Sequence, residues 1–141
     1  MRIVIALAAL ALPLAVLAAD TRQPVAMPAP MREHMLVNMR DHLAALGEIQ
    51  AALAAGRFEQ AAEIAENRIG MSSLERHGAE HMAAYMPKPM QDIGTAMHRA
   101  ASRFARTAQE AEVQGGVPRA LDALAELTRQ CVACHAGFKL N

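Results

Sequence analysis

The chain has two cysteines, Cys131 and Cys134, and His135 directly follows the second. Cys-x-x-Cys-His is the spacing at which a c-type haem is attached. Thiols three residues apart lie on one face of a helix. Both then reach the vinyl groups along one porphyrin edge, and the next residue projects an imidazole toward the iron. Three other chemistries use the same residue types. A disulfide within one helical turn closes a tiny loop and staples nothing. A thioredoxin-like pair belongs at a helix N-terminus, where the dipole lowers a thiol pKa, but these cysteines fall near the end of the last expected helix. A zinc site needs further ligands at recognisable spacing. The expectation is one covalently bound haem c, held by Cys131 and Cys134, with His135 as an axial iron ligand.

The elements that must position this motif are helical. Leu36, Met39, Leu43, Leu46, Ile49 and Leu53 recur at three- and four-residue steps, which predicts one amphipathic helix over 31–55. Gly56 ends it. Ala61, Ala62, Ile64, Ala65 and Ile69 predict a second helix over 58–69. Ser72-Ser73-Leu74-Glu75 reads as a capping box opening a shorter piece to about residue 85. Pro87-Lys88-Pro89 breaks the chain before a third long helix, 89–113. Gly115-Gly116 turns it into a fourth, 118–138, that carries the haem motif. No strand pattern competes. The expected fold is all-α, an antiparallel four-helix bundle.

Residues 1–19 join a basic start, an apolar run from Ile3 to Leu17 and Ala18-Ala19, which is the pattern of a cleavable signal peptide. Cleavage after Ala18 and after Ala19 fit equally well. The expectation is export to the periplasm, with no stable membrane anchor after cleavage. Residues 20–30 hold three prolines and read as an extended lead-in, leaving 31–141 as the bundle. Lys+Arg and Asp+Glu both number 14 in 141 residues, so bulk charge argues against nucleic acid as a partner. Aromatic residues are only 3% of the chain, against 53% hydrophobic, which disfavours a β-sandwich. Ser72, Ser73 and Ser102 lie in no nucleophile–base constellation, so no enzyme activity is expected.

The chain resembles class II cytochromes c, the family of the cytochromes c prime. The likeness spans the whole mature chain. It rests on Cys131-Val132-Ala133-Cys134-His135-Ala136-Gly137-Phe138-Lys139, on Leu53-Ala54-Ala55-Gly56 followed by Phe58-Glu59-Gln60-Ala61-Ala62, and on a third helix ending before a Gly-rich turn. The His- and Met-rich connection before the third helix departs from the pattern. The resemblance implies four helices with haem on the last and a first-helix residue over the distal side. It also implies redox partner proteins and a homodimer formed through the first two helices.

A distal Met gives a six-coordinate electron carrier, whereas an apolar, non-ligating residue gives a five-coordinate binder of nitric oxide or CO. Met39 lies in the apolar stripe, 17 residues before Gly56, close to the family's spacing, and is the expected sixth ligand. Met35, one turn earlier, is the second choice. His34 and His42 are alternatives, with His42 expected to be partly exposed. His77, His81, Met82, Met86, Met90, Met97 and His98 offer soft donors suited to copper. His77 and His81 at i, i+4 form the workable pair there, while Met82, Met86 and Met90 straddle the proline break and need not converge. The leading expectation is a periplasmic electron carrier; the alternatives are a gas binder and a copper-handling protein.

Overall fold

A computed structural model describes residues 19–141; the expected leader lies outside them except for its last residue. The chain runs β1 (Gln23–Val25), α1 (Ala29–Ala54), α2 (Phe58–Arg68), a 3₁₀ turn (Met71–Ser73), α3 (Ala79–Ala83), α4 (Lys88–Val113), α5 (Gly116–Gly137) and β2 (Phe138–Leu140). The helical class matches the sequence reading, and the long helices begin and end within about three residues of the expected limits. Prolines sit in the first turns of α1 and α4, where a missing N–H leaves no bond unmade. Gly115 (φ 101°) and Gly116 (φ 60°) adopt left-handed backbone that lets α5 fold straight back on α4. No helix among the described residues is long and apolar enough to cross a membrane.

Packing runs α1 on α2, α2 on α4 and α4 on α5, whereas α1 and α5 meet only sparsely. Small residues make the central contacts close. Ala61, Ala62 and Ala65 of α2 meet Ala100, Ala101, Ala105 and Ala108 of α4, with Ala120, Leu124 and Leu127 completing the core from α5. Phe104 is the largest of its fully buried side chains. Arg68 at the end of α2 ties that helix to α1 through Asp41 (2.5 Å) and Glu48 (2.7 Å).

Three features differ from the sequence reading. The lead-in is not merely extended: β1 pairs in parallel with β2, Gln23 to Phe138, Pro24 to Lys139 and Val25 to Leu140. A three-residue strand is too short to carry a periodic signal. Ser72 does not open a capping box with Glu75; its hydroxyl donates back to Glu66 Oε1 (2.5 Å). The buried stripe of α1 is Met35, Asn38, His42, Ala45, Ile49, Ala52 and Leu53, while Leu43 is 72% exposed. The helix is rotated about its axis relative to the hydrophobic pattern, because Asn38 and His42 turn inward.

Phe104→Ala removes the centre of the α2–α4–α5 core. It is expected to cost about 3–5 kcal/mol, read as an earlier denaturant midpoint with helical content retained. A loss below about 1 kcal/mol would mean that the core does not depend on this ring.

Candidate functional site at the methionine-rich end

α5 packs along α4 through Leu124 and Leu127, and helical spacing keeps Cys131, Cys134 and His135 within a sector of about 100° around that same side. Cys131 packs against the main core and Cys134 against a separate cluster. Both thiols are unpaired and half-buried. Burial pushes both above the ordinary thiol pKa, and for Cys134 the neighbouring Cys131 adds to the effect. They are therefore held as thiols, not as the activated thiolate of a redox pair. His135 is exposed on the last turn of α5.

The second cluster is a layer of thioethers. Met35, Met82, Met90 and Val25 are buried in it, and Met27, Met31, Met39, Met86, Cys134, Phe138 and Leu140 pack against them. It gathers seven of the ten methionines. Met31, Met35 and Met39 stand four residues apart and form one ridge of α1. Met82, Met86 and Met90, which the sequence left divided by Pro87, converge on the same cluster. Both expected distal candidates lie in this layer, Met35 buried and Met39 half-buried. The β1–β2 ladder closes its end, helped by ion pairing of Lys139 with Asp20 (3.2 Å) and by Arg32 donating to the Asn141 carbonyl (3.3 Å).

These residues fit a covalently bound haem. Two thiols face inward from one side of α5, a histidine stands at the rim, and the facing layer is made of deformable thioethers that can yield to a flat ring.

A second ridge of α1, His34, Asn38 and His42, grips the connection between α2 and α4. His34 Nε2 (2.8 Å) and Asn38 Nδ2 (3.0 Å) both donate to the His77 carbonyl. Gly78 follows at φ +59°, and a Cβ there would lie 3.2 Å from His34 Nε2, so glycine suits both the backbone and the close approach. The left-handed turn at Gly78 also separates His77 from His81. His77 is buried and His81 exposed, so the expected i, i+4 copper pair does not share a face.

His77 instead meets His42 and His98. The ring centres are 4.8 Å apart for His42–His77, 6.0 Å for His42–His98 and 5.6 Å for His77–His98. His42, expected to be partly exposed, is 5% exposed. Burial, then the charges of His77 and His98, hold its pKa down at about 4. Burial, His98 and Arg76 hold His77 at about 4 as well. Burial also lowers His98, against the opposing pull of the Ile69 and Gly70 carbonyls. This trio escaped the sequence reading; the i, i+4, i+8 run His34, Asn38, His42 was the one signal of it.

No family model, curated protein or solved structure matches the chain.

An unfolded imidazole takes its proton near pH 6.5, whereas folded His42 and His77 do so only near 4. Between those values the unfolded chain binds more protons, so acidification favours unfolding. Tm is expected to fall progressively from about pH 6.5 to about pH 4, measured by scanning calorimetry. A Tm unchanged across that window would contradict neutral, buried histidines.

Proposed function

We propose that the chain is a periplasmic monohaem cytochrome of electron transfer, an antiparallel four-helix bundle with haem c on Cys131 and Cys134. His135 and a thioether of α1, Met39, would ligate its iron. The observation that carries this reading is the placement of the Cys-x-x-Cys-His motif. It ends α5 with both thiols unpaired and facing inward, and Cys134 packs against the layer that includes Met35 and Met39. The leader-like start of the sequence supports export, in agreement with a compartment where covalent attachment prevents cofactor loss.

When bound, the haem supplies a one-electron ferric–ferrous couple, and the chain's part is to set its potential. Met39 contributes a soft sulfur that favours the ferrous state over what a second imidazole would. The thioether layer would keep water from the iron and lower the local dielectric, which disfavours the more highly charged ferric form. The exposed His135 edge leaves one side of the site near the surface, where a redox partner approaches. The thioether lining of α1 favours the electron carrier over a gas binder, which needs an open sixth position.

Visible spectra of the purified protein in both oxidation states test this reading. A low-spin spectrum unchanged by CO is expected. Met39→Ala should open the sixth position and give a high-spin, CO-sensitive spectrum. If that variant stays low-spin while Met35→Ala changes, the ligand is Met35. A wild-type spectrum that is high-spin and shifts with CO would replace the carrier by the gas-binding alternative.

A further inference from the structure

We propose that His42, His77 and His98 form a binding site for a divalent first-row transition ion such as zinc, independent of the haem reading. The tautomers follow from the hydrogen bonds. The Ile69 carbonyl can only accept, so His98 Nδ1 carries the proton of the bond between them (2.5 Å). The Ser73 hydroxyl spends its proton on the Gly70 carbonyl (2.7 Å), so His77 Nδ1 must donate to Ser73 Oγ (3.2 Å). In both neutral rings Nε2 is then the lone-pair nitrogen. This is the arrangement that orients metal-binding histidines, with the far N–H held by an oxygen.

His42 is the third donor. Its two ring nitrogens are buried side-chain atoms with no hydrogen-bond partner among the described residues, an arrangement that structure normally avoids. A bound cation would engage one of them. The spacing suits a single ion. At a metal–nitrogen distance of about 2.0–2.1 Å each ring centre lies roughly 3.2 Å from the metal, and tetrahedral angles then set ring centres about 5 Å apart. The observed separations run from 4.8 Å for His42–His77, slightly inside that value, to 5.6 and 6.0 Å for the two pairs with His98. Among the described residues no three His, Cys, Asp or Glu side chains already surround one point, so binding draws the rings inward, with water as the fourth ligand. Neutral imidazoles suit borderline ions such as zinc, copper(II) or nickel. The Asp41 carboxylate, next to His42 in the sequence, is engaged by Arg68.

Zinc chloride titrated calorimetrically into the purified, chelator-treated protein, with any free thiol alkylated, tests the site. One zinc per chain is expected, with a dissociation constant on the order of a micromolar or tighter. His42→Leu should weaken binding by about 100-fold or more and raise the Tm of the metal-free protein, since it removes two unpaired polar atoms. His77→Gln, which can still meet Ser73 Oγ, should also lose binding. His81→Ala should bind as the wild type does. Absence of zinc binding at about 100 micromolar, equal affinity in His42→Leu and His77→Gln, or loss in His81→Ala would each overturn the proposal.

Discussion

The chemistry of this protein depends on the docking of α5 along α4. Leu124 and Leu127 bury one side of α5 in an alanine-rich seam, and the helical repeat then carries Cys131 and Cys134 onto that same inward side about two turns later. Nothing in the thiols' own chemistry aims them; their direction is inherited from apolar packing lower in the helix. The end of the helix also leaves the packed core at this point, so the motif lies where α1 and α5 are sparsely in contact and flexible side chains fill the interval. In the proposed cytochrome, that interval is where a flat cofactor displaces thioethers instead of a rigid core.

α1 faces this end with two adjacent ridges of opposite character. Met31, Met35 and Met39 form a soft apolar one, and His34, Asn38 and His42 a polar one that fixes the path of the α2–α4 connection. The polar ridge has a stabilising part and a costly part. His34 and Asn38 satisfy the His77 carbonyl, while His42 buries two nitrogens unsatisfied. A buried polar group without a partner costs about 1–3 kcal/mol, and a leucine there would avoid it. In the proposed zinc site, the ion that His42 meets offsets this cost.

Much of this was legible in the sequence. Helix periods, the proline starts and the Gly115-Gly116 turn located the long helices, and the Cys-x-x-Cys-His spacing stood out because the chain has no other cysteine. The face of α1 was not legible. Hydrophobicity alone turns Leu43 inward, yet Leu43 is exposed and His42 is buried, because the decisive partner of this ridge, the His77 backbone, lies 39 residues from Asn38. The convergence of Met82, Met86 and Met90 was hidden for a similar reason: a proline bend erases the register by which spacing is read. The terminal ladder was missed because its strands are only three residues long. What the sequence concealed is long-range pairing between short or irregular segments; what it displayed is the periodic part.

The most direct test of the central claim is the intact mass of mature protein produced in a periplasm equipped for haem attachment. A mass exceeding that of the processed polypeptide by one haem, resistant to denaturation and lost in the Cys131→Ala, Cys134→Ala double variant, is the expected result. A mass equal to the bare polypeptide, with both thiols open to alkylation or joined to each other, would contradict it.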